Sequence, residues 1–144
     1  MDETWRNNLL FTLGTLWALP MTAVGLILCC GALALGARVS VSDSAIVFSR
    51  FRFFSTGALT LGQVILNTGQ SLDVPALTYH CRAFGGGQCV RLGTHERAHV
   101  YQYMVLGIFF LPLYFLHGGI SHKNRFEQAA DRYALTGKNW WPYA

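Results

Sequence analysis

The segment His95-Glu96-Arg97-Ala98-His99 carries two imidazoles four residues apart, with an acid next to the first. On a helix, residues four apart lie one above the other on the same face, so both rings can turn toward a single ion. Neutral imidazole is a good zinc ligand, and Glu96, one position round, reaches a water bound there. Zinc lowers the pKa of such a water toward ~7. A carboxylate beside it can take the proton and later pass it to a leaving amine. With five histidines and three glutamates in 144 residues, the pattern arises by chance about 0.0035 times per chain.

A tetrahedral catalytic zinc also takes a third protein ligand and leaves one position for water. Glu127-Gln128-Ala129-Ala130-Asp131 supplies the residues downstream. Glu127 is the candidate third ligand. Asp131, one turn later on the same face, is placed to accept a hydrogen bond from the far nitrogen of a ligand histidine. Two of the chain's three glutamates fall in this constellation. Gln102 extends the metal-facing stripe of the first helix and is a candidate to bond a ligand or substrate. Tyr101, Tyr103, Tyr133, His117 and His122 are candidates to stabilise the oxyanion of a tetrahedral intermediate, and the sequence does not choose among them. A carboxylate-bridged di-iron site would want two E-x-x-H motifs, and only Glu96-Arg97-Ala98-His99 fits.

H-E-x-x-H followed by E-x-x-x-D resembles the signature of gluzincin metallopeptidases, and above all their membrane-bound branch containing HtpX and the CAAX-prenyl proteases. His95-Glu96-Arg97-Ala98-His99-Val100-Tyr101-Gln102 and Asn124-Arg125-Phe126-Glu127-Gln128-Ala129-Ala130-Asp131 carry the match, within residues 92–136. The chain is also similar to small bacterial proteins of unassigned function with H-E-x-x-H-V-x-Q. The resemblance implies a zinc peptidase with His95, His99 and Glu127 as ligands, Glu96 as general base and Asp131 as the residue that orients a ligand. It further implies that extended substrate pairs with a strand edge beside the active-site helix. Residues 58–67 are the candidate stretch, with Leu59, Leu61 and Gln63 its substrate-facing positions. The expected substrates are peptides or membrane proteins, and the expected location is a bacterial inner membrane.

These side chains need elements to hold them. Thr94 suits a helix N-cap, and His95 to Leu106 contains neither proline nor glycine, so a helix is expected there. A last helix is expected from about Asn124 to Leu135, stopping near Gly137. Between them, residues 100–120 are apolar and ~30 Å long as a helix, enough for a membrane crossing. Only 27 residues separate His99 from Glu127. A straight crossing would carry the chain to the far side of the bilayer, and a return as unpaired backbone through lipid is prohibitively costly. The metal site therefore requires the chain to double back near residues 107–112, or to dip shallowly and return, as an interfacial or re-entrant segment.

Upstream, residues 38–69 alternate apolar and polar side chains and predict two to four antiparallel strands, with Asp43-Ser44 as a turn and Arg50-Phe51-Arg52-Phe53 in a strand. Residues 70–92 hold Asp73-Val74-Pro75 and Gly85-Gly86-Gly87 and read as a loop. No Lys-Ser/Thr follows the glycines, which excludes a phosphate-binding loop. Residues 7–37 carry no charge, and the chain is 12% charged, against about 25% in soluble domains. The apolar run at 9–35 exceeds the ~7–15 residues of a signal-peptide core and reads as a retained spanning helix. The expected fold is thus α+β. An N-terminal transmembrane helix in residues 1–37 precedes a minimal zincin-like catalytic domain, residues 38–144, of small antiparallel β-sheet and helical core.

The net charge of +4 is spread along the chain, without the basic stripe that nucleic-acid binding needs. Arg50, Arg52, Lys123 and Arg125 suit anionic lipid head groups at the bilayer. Arg38, Arg50 and Arg52 after the anchor, against Arg6 alone before it, place the catalytic side in the cytoplasm. A disulfide between Cys81 and Cys89 would argue the reverse. Asn139-Trp140-Trp141-Pro142-Tyr143 suits either a membrane interface or the cap of a small core. Two other functions compete: a zinc hydrolase acting on a lipid or small amide, and a non-enzymatic partner subunit with a structural metal or none. Glu96 favours an enzyme, because a structural site has no use for an acid beside a ligand and tends to close with four protein ligands.

Overall fold

A computed structural model describes residues 2–144. Helix α1 (Glu3–Ala34) takes in nearly the whole apolar run and passes through Pro20. Gly14, Ala18, Thr22, Gly25, Cys29 and Ala32 are three or four residues apart and so form one stripe of small side chains. Small residues let a helix approach its neighbour closely. The last five of them are buried, and a Cβ added at Gly25 would lie 2.8 Å from Val64. The opposite face, including Leu13, Leu16 and Ile27, is exposed. α1 and the stretch Leu92–Leu116 are each long and apolar enough to cross a membrane.

The body packed on that stripe begins with strands β1 (Arg38–Ser42), β2 (Ala45–Ser49), β3 (Ala58–Leu61) and β4 (Val64–Asn67), in the order β1-β2-β4-β3. Asp43 and Ser44 both have positive φ, as the two-residue turn of a tight hairpin requires. The sheet is mixed rather than antiparallel, because β2 and β4 run parallel. The chain leaves β2, crosses to the outer edge as β3, and turns at Gly62-Gln63 to fill the gap as β4. Arg50-Phe51-Arg52-Phe53 does not extend a strand: Arg50, at φ 62°, ends β2, and Phe51 turns into the core.

The region expected to be a loop instead forms β5 (Pro75–Leu77), helix α2 (Tyr79–Phe84) and β6 (Cys89–Arg91). Thr78 caps α2 by accepting the Cys81 N–H. Cys81 and Cys89 are free thiols. β6 runs straight into α3 (Leu92–Leu106), which starts two residues before Thr94. Arg91 fixes this entry, with two nitrogens on Asp43 at 2.6 and 3.0 Å and Nε on Asp73 at 2.5 Å. Burial alone would raise the Asp43 pKa, but the Arg91 guanidinium outweighs it and holds the carboxyl below its usual range.

The apolar stretch after His99 does double back. Gly107 stops α3 at φ +55° and ψ −129°, a region that residues with a Cβ avoid. A 3₁₀ turn (Gly107–Phe109) then leads into α4 (Phe110–Leu116). The rings of Phe110 and Tyr114 lie 5.9 and 6.3 Å from that of His99, whereas a straight helix would carry Phe110 ~16 Å further along its axis. A Cβ at Gly107 would also meet Trp17 Nε1 at 2.7 Å. Gly107→Ala is therefore expected to destabilise the fold by about 1–3 kcal/mol, measured as a lower unfolding midpoint in detergent beside the wild type.

After Gly118 and Gly119 the chain enters α5 (Arg125–Thr136), ended by Gly137 in the left-handed conformation. Asn124 is fully buried at this corner. Its Oδ1 caps α5 through the Phe126 N–H at 2.9 Å, and its Nδ2 donates to Tyr114 O at 3.0 Å and Gly119 O at 2.7 Å. One amide thus fastens the end of α4 to the start of α5. The C-terminal aromatics cap the core, with Trp140 against Tyr101.

Candidate metal centre

α3 and α5 pack side by side and bring His95, His99 and Glu127 together. Glu127 Oε2 lies 3.0 Å from His95 Nε2 and 3.3 Å from His99 Nε2. All three side chains are less than a tenth exposed. The outer ring nitrogens are engaged as well. His95 Nδ1 is 2.9 Å from Asp131 Oδ1, whose other oxygen accepts the Tyr79 N–H at 2.7 Å. His99 Nδ1 is 2.8 Å from Gln102 Oε1. The amide group of Gln102 donates to Trp140 O at 2.9 Å and Phe126 O at 3.3 Å, so its oxygen is the end that meets His99.

These outer bonds decide the tautomers. Asp131 and Gln102 Oε1 accept, so both Nδ1 atoms carry the hydrogen, and both Nε2 atoms present lone pairs. Two lone pairs and a carboxylate oxygen then converge on one buried point. Three bare acceptors in apolar surroundings need positive charge among them. A shared proton serves one contact; a metal ion serves all three. The three could hold a metal ion, their nitrogen and oxygen atoms being common ligands. Without a metal that charge comes from protons: burial would raise the Glu127 pKa, but protonated imidazoles beside it prevail and hold it well below the usual carboxylate range.

Gln102 thus fixes the His99 ring and also bridges α3 to the start of α5 and to the tail. Gln102→Leu removes the acceptor without removing a ligand. If the group holds a metal, its metal affinity is expected to fall about 10–100-fold, measured by competition with a chelating dye.

Glu96 is 5% exposed and is not among the converging atoms. Thr60 Oγ1 on β3 donates to Glu96 Oε2 at 2.7 Å, and the other carboxylate oxygen takes no hydrogen bond from the described residues. Glu96, the two histidines and Glu127 line one cleft of about 370 Å³. β3 forms one wall of it, and β5, α2 and α4 form the rest.

β3 is an outer strand of its sheet. Its two-residue turn makes Leu61–Val64 a hydrogen-bonded pair, with Leu59–Leu66 the next. The N–H and C=O groups of Thr60 and Ala58 therefore point away from β4, along the cleft. The expected substrate-facing positions are corrected accordingly. Leu59 reaches the cleft by its side chain only, and Leu61 is buried against α1. Gln63 lies in the turn beyond the strand, its Nε2 on Thr15 Oγ1 at 3.1 Å and its N–H on Thr22 Oγ1 at 3.0 Å.

None of the five expected oxyanion candidates lines the cleft. Tyr101 and Tyr133 meet edge to face between α3 and α5, and Tyr103 is buried in the core. His117 bonds Leu113 O and Tyr143, and His122 stands against Phe84. Tyr79 and Tyr114 occupy the cleft instead. The Tyr79 ring stacks on His95 at 5.9 Å, and the Tyr114 hydroxyl donates to Glu127 Oε1. Burial and the nearby carboxylates push the Tyr79 hydroxyl pKa far up, so it is a proton donor at neutral pH. Tyr79 was hidden because α2 was not expected, and Tyr114 because its apolar neighbours disguise it. No protein-family model, curated protein or solved structure matches this chain.

Proposed function

We propose that this protein is a membrane-anchored zinc metallopeptidase, with α1 as the anchor, the C-terminal end of α1 on the cytoplasmic side, and the resemblance to membrane-bound gluzincins as a pointer to its chemistry. The observation that carries this reading is the convergence of His95, His99 and Glu127 on one buried point while Glu96, in the same cleft, stays outside the set. A zinc ion held by these three would polarise a scissile carbonyl and lower the pKa of a water. The rest is done by the chain. Extended substrate adds to the free edge of β3 at Ala58 and Thr60. Glu96 takes one proton from the attacking water, whose oxygen bonds to the carbonyl carbon. The carbon–nitrogen bond then breaks, and Glu96 returns the proton to the departing nitrogen. Tyr79, in the lining of the same cleft, is the candidate donor to the oxyanion.

A purely structural metal is disfavoured by the donor count. No fourth His, Cys, Asp or Glu joins the three ligands among the described residues, and a structural zinc is closed by four. A lipid or amide hydrolase would have no use for the free strand edge. The test is twofold: elemental analysis of detergent-purified protein, and hydrolysis of unstructured peptides by the zinc-loaded form. Near one zinc per chain together with chelator-sensitive cleavage supports the reading. A folded protein that takes up no added zinc sinks it.

A further inference from the structure

The cleft does not hang beyond the end of the anchor. The tip of the β3–β4 hairpin rests on α1 at its middle, where Gln63 bonds Thr22 and Thr15. Gly14 lies under Met104 of α3, and Gly107 lies under Trp17. Thr60 is two residues from the Gly62 tip, ~7 Å along the strand, and Thr60 holds Glu96. The reacting groups therefore sit beside the centre of the 9–35 apolar run.

The mouth of the cleft has the same character. Leu59 and Leu77 on its strand walls are 41% and 39% exposed, and Phe115 and Ile120 on the opposite wall are 64% and 79% exposed. Apart from the ligands and Glu96, Arg82 is the one charged side chain in the lining. Phe109 and Leu116 continue the exposed apolar surface outward from α4. Such a rim in water would be an aggregation liability; in a bilayer it is continuous with the lipid-facing side of α1.

Resting on the peptidase reading, we propose that the cleft opens sideways into the bilayer and takes the membrane-spanning segment of another protein, unwound into a strand along Ala58 and Thr60. Pairing with the β3 edge satisfies backbone groups that an unwound segment would otherwise expose to lipid. Alternate side chains of the bound strand point to opposite faces, so large apolar residues meet Leu59 and Leu77 on one side and Phe115 on the other.

The experiment uses the full zinc-loaded chain reconstituted in phospholipid vesicles. It receives two substrates in parallel: a reporter with a single Leu/Ala-rich spanning segment in the same vesicles, and a reduced, alkylated water-soluble polypeptide. Cleavage positions are read by mass spectrometry. Cuts inside the spanning segment, at least tenfold faster than any in the soluble chain, are expected. Leu59→Asp should lower that preference by tenfold or more. Cuts confined to the soluble chain, or to polar flanks of the reporter, would overturn the inference and leave the peptidase standing. Cutting neither substrate with zinc bound would sink the peptidase reading and the inference with it.

Discussion

Glu96→Gln is expected to slow peptide hydrolysis by about 10²–10⁴-fold while zinc content stays near one per chain. Gln is nearly isosteric with Glu, and its carbonyl oxygen can still accept from Thr60, whose hydroxyl donates to Glu96 Oε2 at 2.7 Å. Position and packing are thereby kept, and only the capacity to take a proton is lost. The metal should be indifferent, because Glu96 lies outside the converging group of His95, His99 and Glu127. Rate and zinc content measured on one preparation separate the two roles. Full zinc with a wild-type rate would show that another group accepts the proton. Lost zinc would show that Glu96 is a ligand.

The site was legible to the extent that its geometry is local. His95 and His99 share a face because of helical repeat alone, and Glu127 and Asp131 likewise, so the two motifs announce their own internal arrangement. That they can meet only if the chain turns back follows from an argument about lipid: a straight apolar helix from His99 could not deliver Glu127, and Gly107 supplies the bend. Thr60 and Tyr79 had no such signal. Thr60 reaches Glu96 across 36 residues of chain, through a strand pairing that no local period encodes. Tyr79 depends on α2, a helix of six residues, too short to show a periodicity.

The sheet shows the same division. Alternation along residues 38–49 and the Asp43-Ser44 turn make the first hairpin readable. The order β1-β2-β4-β3 is not, because alternation marks a strand without naming its partner. Reading 50–53 as strand failed because Arg50 takes a left-handed backbone that its alternating neighbours conceal. The stripe of small residues on α1 was present in the sequence at three- and four-residue spacing. It marks the face that a body packs against, and so sets His95, Glu96, His99 and Glu127 alongside α1 rather than beyond its end.

Zinc retention is the second large effect. Wild-type protein is expected to hold near one zinc per chain, and Glu127→Ala or His99→Ala to hold close to none under the same dialysis. Each substitution removes one of three ligands from a point where their atoms lie within 4.8 Å of one another. Two remaining ligands cannot fill a tetrahedral protein site. A metal bound there would also join α3 to α5, so bound zinc should raise the stability of the wild type, by ~2.7 kcal/mol at a hundredfold excess over its dissociation constant. A chelator should therefore lower the unfolding midpoint of the wild type and leave that of Glu127→Ala where it is. Glu127→Ala with full zinc would identify a different third ligand, with Asp131 on the same helix face the first to examine. A chelator-insensitive wild type that never carries zinc would mean that shared protons alone hold His95, His99 and Glu127 together, and the cleft would then lack the means to activate water.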